Sequence, residues 1–119
     1  MDQLPASWAA DLAEEIETRY PCRIQLGLDP GPHLVLFWIL LPKELRGNGI
    51  GTRVMEHVLG AADRQGVPVT LSPSGKYGGD LDRLYAFYER FGFVASTNRE
   101  QFGSAKESMV RVPRAPVAD

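Results

Sequence analysis

The segment Leu41-Pro42-Lys43-Glu44-Leu45-Arg46-Gly47-Asn48-Gly49-Ile50-Gly51-Thr52 constrains this chain most, because it must join an apolar strand to an amphipathic helix through a glycine-rich turn. Upstream, His33-Leu34-Val35-Leu36-Phe37-Trp38-Ile39-Leu40-Leu41 is almost wholly apolar and rich in branched and aromatic residues, the pattern of a strand buried on both faces. Downstream, Ile50, Val54, Met55, Val58, Leu59 and Ala62 recur at helical spacing. A helix N-terminus carries about half a positive charge and free N–H groups, and glycine lets phosphate oxygens approach them. The segment therefore suits a phosphorylated ligand. A tight connection alone would need one glycine past a turn, whereas three at alternate positions leave the helix start bare of side chains, which lowers stability.

Glycine motifs that share this physics differ in spacing. A dinucleotide fingerprint requires G-x-G-x-x-G; counted from Gly47 or Gly49, the last glycine is replaced by Thr52 or Val54. A P-loop requires G-x-x-x-x-G-K-[ST], and Gly75-Lys76 is followed by Tyr77, with Thr70 where the first glycine belongs. Neither pattern is met. Arg46-Gly47-Asn48-Gly49-Ile50-Gly51 instead resembles the acyl-CoA signature R/Q-x-x-G-x-G/A of the GNAT superfamily of N-acyltransferases, with Pro42 at the family's usual distance before it. A second segment, Tyr88-Glu89-Arg90-Phe91-Gly92-Phe93, is similar to the family's Y-x-x-x-G-F, which ends a helix and begins a strand. Here Leu81, Leu84, Tyr85, Phe87, Tyr88 and Phe91 form a broad apolar face, Gly92 stands where a left-handed cap belongs, and Phe93-Val94-Ala95 restarts as strand. The resemblance spans residues 34–112, with a strand at 67–71 between the two motifs.

The resemblance implies an α/β (α+β) fold: a mixed, mostly antiparallel sheet flanked by helices, whose central strands splay apart so that the pantetheine arm of acetyl-CoA pairs with exposed backbone. It implies contacts from the backbone of Ile39, Leu40 and Leu41 to the thioester carbonyl and pantetheine. Gly47, Asn48, Gly49, Ile50, Gly51 and Thr52 would bind the diphosphate, and Arg46 would add charge near it. Tyr88 falls at the tyrosine whose hydroxyl faces the cofactor sulfur, and a phenol with a pKa near about 10 suits a donor to a departing thiolate. The residues alone also fit a core tyrosine bonded to a backbone carbonyl, and Tyr85 is the neighbouring alternative. The implied activity is transfer of an acetyl group from acetyl-CoA (coenzyme A) to a primary amine by direct attack. The acceptor is a small molecule or a protein or peptide lysine. The alternative is a catalytically weak acyl-CoA-binding module for interaction or sensing.

Many members of the family carry a glutamate or aspartate as general base on the strand before the glycine turn, where this chain has only apolar side chains at 34–41. His33, Glu44, Tyr77, Asp80 and Asp29 are the remaining candidates, with a chain of waters as substitute; each also fits a surface or turn residue, and Asp80 a helix cap. Leu81 and Leu84 stand where the family often has asparagine and alanine. The loop at 72–80, with its glycines, Lys76 and Tyr77, reads as an acceptor-side lid or as a surface connection. Strand alternation predicts that Phe37 and Trp38 point to opposite faces, one toward the acceptor pocket and the other beneath a helix.

At 119 residues the chain is expected to form one GNAT-like domain over 1–112, with a frayed tail at 113–119. Trp8, Leu12 and Ile16 trace a helix over 7–19, capped by Ser7 and stopped by Pro21. Residues 23–28 alternate as a half-exposed strand, and Asp29-Pro30-Gly31-Pro32 turns it into the apolar strand as a hairpin. After the motif helix come the strand at 67–71, a helix over 81–91, and strands at Phe93 and over 109–112. The family's opening strand is missing and its early helical region reduced, which leaves the acceptor side open or completed by a partner subunit, as in a homodimer. A net charge of −2 without a Lys/Arg cluster argues against nucleic acid as partner. The single cysteine, Cys22, excludes an internal disulfide and a cysteine metal cluster, and reads as a small buried hydrophobe; no metal is expected. The apolar run at 34–41 is too short to span a bilayer and the N-terminus lacks a signal pattern, so a cytoplasmic protein without membrane association is expected.

Overall fold

The computed structural model describes residues 4–5, 7–30, 32–72, 81–95 and 109–113. Residues 73–80 of the expected lid at 72–80, with Tyr77 and Asp80, and the tail beyond Pro113 lie outside the described residues. Helix α1 (Trp8–Arg19) leads into the hairpin of β1 (Arg23–Asp29) and β2 (His33–Leu40). A 3-10 turn (Lys43–Leu45), helix α2 (Ile50–Gln65), β3 (Val69–Leu71), α3 (Leu81–Glu89), β4 (Val94–Ala95) and β5 (Met109–Arg111) follow. The strands form one sheet in the order β1-β2-β3-β5-β4. β2 and β3 run parallel, as strands joined through a crossover helix do, while β1–β2, β3–β5 and β4–β5 are antiparallel. The mixed, mostly antiparallel sheet flanked by helices is thus the one expected from the sequence.

α2 buries the face that its spacing marks, with Val54, Met55, Val58 and Ala62 all at 0% exposure. Full burial of a valine or methionine side chain is worth roughly 1.5–3 kcal/mol, so this face anchors the helix. The helix ends in a Schellman closure: Gly66 takes φ 69°, its N–H donates to the Asp63 carbonyl at 3.1 Å, and the Val67 N–H donates to the Ala62 carbonyl at 3.0 Å. That closure shortens the expected strand. The Val67 N–H is committed to the helix and Pro68 has none, so β3 begins at Val69.

α1 lays Ala9, Leu12 and Ile16 on the same core. Ser7 precedes it as expected, but its hydroxyl donates to the Asp11 carboxylate at 3.0 Å and caps no backbone amide. Polar contacts tie α1 to α2: a Glu15 carboxylate oxygen lies 2.5 Å from His57 Nε2, and the Tyr20 hydroxyl lies 3.3 Å from His57 Nδ1. Cys22 is buried, and desolvation first, then the charge of Glu17, pushes its thiol pKa up, which suits an inert role. Among the described residues no helix is long and apolar enough to cross a membrane, and no group of three or more His, Cys, Asp or Glu is placed to hold a metal ion.

β5 brings a charge into this apolar core. Arg111, only 5% exposed, donates to both carboxylate oxygens of Asp63 at 2.8 and 3.1 Å and to the Phe91 carbonyl at 2.9 Å. One side chain thereby joins the end of α2, the turn after α3 and the sheet. Asp63→Ala leaves the buried guanidinium without its carboxylate and is expected to lower unfolding free energy by roughly 3 kcal/mol in urea melts. A loss below about 1 kcal/mol would show that the pair is dispensable.

Candidate functional site

Among the described residues, β2 has a strand neighbour on both sides only as far as Leu36. Its parallel ladder with β3 pairs Leu34 with Val69, Val35 with Thr70 and Leu36 with Leu71 and then stops, while its ladder with β1 runs on to Leu40. The sheet therefore opens along residues 37–40, beside a cavity of about 470 Å³. Ile39, Leu40 and Leu41 form one wall; the turn before α2 and its first residues contribute Arg46, Gly47, Gly49, Gly51 and Thr52; the α3 segment contributes Leu84, Phe87, Tyr88 and Arg90. Of the cofactor-binding and catalytic residues expected from the sequence, Asn48 and Ile50 are not in the wall. Asn48 is exposed, and the Ile50 side chain packs against the core.

A β-bulge shapes the strand at this opening. Gln25 pairs with Trp38 and Leu26 with Leu36, so Phe37 is the extra residue on β2. Gln25 and Gly27 share a face of β1, and the Phe37 ring occupies the space over Gly27, where an added Cβ would come within 2.8 Å of it. Phe37 and Trp38 consequently share that face rather than alternating, and both line the cavity. The expectation of opposite faces fails because the extra residue resets the period of two.

The turn before α2 owes its shape to two glycines. Gly47 and Gly49 adopt φ of 86° and 80°, and a Cβ on either would meet nothing within 4 Å, so backbone conformation and not crowding selects glycine. Gly51 differs. It lies inside the helix, and its Cβ would make ordinary contacts with Phe87 at 3.7 Å and Leu41 at 3.8 Å, although glycine weakens a helix by about 1 kcal/mol relative to alanine. The first intrahelical bond runs from the Arg53 N–H to the Gly49 carbonyl at 3.1 Å; no side chain caps the helix, and its first turn holds no acidic residue. The amides of Ile50, Gly51 and Thr52 are thus the orphan donors of a positive helix end. Two arginines and no carboxylate are among the described residues of the cavity wall, which leaves its field favourable to anions.

Tyr88 is held at the wall by the end of α3. The segment Tyr88-Glu89-Arg90-Phe91-Gly92-Phe93 forms a second Schellman closure: Gly92 has φ 97°, its N–H donates to the Glu89 carbonyl at 3.0 Å, and the Phe93 N–H donates to the Tyr88 carbonyl at 3.3 Å. In this motif the residue after the glycine packs on the residue whose carbonyl it caps. Phe93, 1% exposed, stands edge-on to the Tyr88 ring with centroids 5.7 Å apart, and Phe87 stands edge-on at 5.3 Å. The phenol is 9% exposed and its hydroxyl bonds to no described residue, so no described backbone carbonyl holds it. Burial pushes its pKa up from its ordinary value near about 10.

Of the expected bases, three lie among the described residues, and none of these reaches the cavity wall. His33 is 3% exposed with its Nε2 3.5 Å from Asp29, Glu44 is exposed on the 3-10 turn, and none of the three lines the cavity. Tyr85, the alternative to Tyr88, packs against the core. Sequence reasoning missed the paired roles of Gly27 and Phe37, and it missed Arg90. The available signal for Arg90 was its spacing of three from Phe87, which makes the two neighbours on a helical surface.

The acetyltransferase (GNAT) domain model matches residues 13–95, more than half of the chain. Ard1 from Thermoplasma volcanium shares the fold with a TM-score of 0.56 at 15% identity, over 96% of this chain and 83% of that one. Arabidopsis thaliana Naa50, solved in complex with the bisubstrate analogue CoA-Ac-MVNAL, gives 0.49 at 18% identity over 76% of this chain. This chain covers 60% of that protein's length. The structure described as histone acetyltransferase HPA2 and related acetyltransferase from Corynebacterium glutamicum gives 0.47 at 18% identity, over 98% of this chain and 81% of that one. No curated protein matches the sequence. With residues 13–95 under that family model and a fold in accord with it, this chain belongs to the GNAT acetyltransferase family.

Proposed function

We propose that this chain is an acetyl-CoA-dependent N-acetyltransferase acting on a primary amine, either a small molecule or a lysine of a peptide or protein. The observation that carries the reading is the uncapped start of α2, which faces the same cavity as Tyr88 and the one-sided edge of β2. The residues present fit the cofactor. The amides of Ile50, Gly51 and Thr52, with the turn at Gly47, Asn48 and Gly49, would hold its diphosphate, and Arg46 would add charge beside it. The backbone at Ile39, Leu40 and Leu41 would pair with the pantetheine arm and polarise the thioester carbonyl. When bound, acetyl-CoA supplies the electrophilic carbon and the thiolate leaving group.

Tyr88 donates a hydrogen bond to the developing thiolate. Full proton transfer runs uphill, because burial lifts the phenol above about 10 while a thiol lies near about 8.5. The phenol therefore stabilises charge without giving up its proton. Holding the amine against the thioester carbon supplies a further large share of the rate. Phe37 and Trp38 place aromatic faces on the cavity that attract an ammonium group.

Tyr88→Phe is expected to lower kcat by roughly a hundredfold while changing acetyl-CoA affinity less than about twofold, measured by amine-dependent thiol release and calorimetry. Cofactor binding without such release by the wild-type protein, across a panel of amines, would reject the transfer activity. Burial holds the Tyr88 pKa above its ordinary value near about 10, so any decline of kcat from its ionisation should be centred above that value. A decline centred below about pH 9 that disappears in Tyr88→Phe would contradict the role. Gly51→Ala should leave the fold at least as stable, with up to about 1 kcal/mol gained from helix propensity, yet weaken coenzyme A binding by roughly tenfold. Unchanged affinity would show that no ligand approaches that amide closely.

A further inference from the structure

We infer that Arg90 selects coenzyme A for its 3′-phosphate over cofactor forms that lack it; this rests on the reading that the cavity binds coenzyme A. Arg90 follows α3 directly and lines the cavity. Its guanidinium stacks over the Phe87 ring, 5.5 Å from the centroid, and forms no ion pair with a described residue. Phe87 is the ring that a Cβ on Gly51 would touch at 3.7 Å. The arginine is therefore held one ring away from the start of α2.

Helix geometry separates the phenol from the guanidinium. At about 100° per residue, Tyr88 and Arg90 fall on opposite sides of Phe87 around the α3 axis. Tyr88, Phe87 and Arg90 line the cavity together with Gly51 and Thr52 of α2, and Phe87 lies between the guanidinium stacked on it and the Gly51 position it approaches. A nucleotide thiol with its sulfur at Tyr88 and its diphosphate at the α2 start extends its nucleotide end toward Arg90. The diphosphate already has the amide donors and Arg46, whereas a 3′-phosphate, with close to two negative charges, needs a cation of its own. A guanidinium pre-oriented on a ring loses less freedom when it grips a phosphate through two N–H groups.

The test is calorimetry of the wild-type protein, Arg90→Gln and Arg90→Lys with coenzyme A and with dephospho-coenzyme A, which keeps the thiol and diphosphate but lacks the 3′-phosphate. Wild-type protein should prefer coenzyme A by roughly tenfold or more. Arg90→Gln should remove the preference by weakening coenzyme A roughly tenfold while leaving dephospho-coenzyme A within about twofold, and Arg90→Lys should keep part of it. Arg90 is exposed, so matching thermal melts are expected for the three proteins. Equal weakening of both ligands in Arg90→Gln would place the arginine on the shared diphosphate or in packing on Phe87, and a retained preference would exclude it altogether; either overturns the inference alone. Wild-type protein that binds neither ligand would overturn the cofactor assignment, and this inference with it.

Discussion

The structure depends on a strand that loses one neighbour halfway along its length. Among the described residues β2 is paired with strands on both sides through Leu36 and with β1 alone from Trp38 to Leu40, so the sheet opens there. Backbone donors and acceptors along such an edge require partners from somewhere other than the sheet. The bulge at Phe37 falls at the same point and puts two consecutive aromatic side chains on one face, where both line the cavity. The start of α2 closes the far end of that gap with amides in place of side chains. An extended, partly peptide-like molecule with phosphates at one end is the shape and chemistry that this opening suits.

One local device serves two purposes in this fold. Both α2 and α3 end in a glycine-centred closure followed by an apolar residue that packs back on the helix. At Gly66 the closure sets where β3 begins and presents Asp63 to Arg111, which is structural. At Gly92 the same geometry fixes Phe93 against Tyr88 and so holds a phenol on the cavity wall. The spacing Tyr88-x-x-x-Gly92-Phe93 is therefore the spacing of a helix terminator, and the position of the tyrosine follows from backbone hydrogen bonding. The aromatic residues around it add orientation that a lone tyrosine on a helix would lack.

Much of this was legible in the residues. Three glycines at alternate positions and the second motif pointed to the helix end and to Tyr88, and the apolar run at 34–41 marked β2. The bulge was not legible, because an unbroken apolar stretch carries no period of two that an extra residue could disturb. The start of β3 was misplaced by two residues because Val67 is as apolar as the strand it precedes, and only its N–H, spent on capping α2, sets it apart. Arg90 drew no reading of its own between two motif positions; its place on the wall depends on how α3 packs across α2, which no local pattern encodes. That His33, Asp29 and Glu44 do not line the cavity was hidden for a similar reason, since the sequence shows their types and the fold decides which cavity they face.

Everything proposed for the cavity requires main-chain amides at the start of α2 to bind the phosphates of coenzyme A. Amide chemical shifts followed through a titration with coenzyme A read that binding residue by residue. The largest perturbations should fall on the N–H groups of Ile50, Gly51 and Thr52 and saturate at submillimolar ligand, as binding of about −5 kcal/mol or tighter requires. Perturbations confined to other parts of the sheet, or none at millimolar ligand, would contradict it.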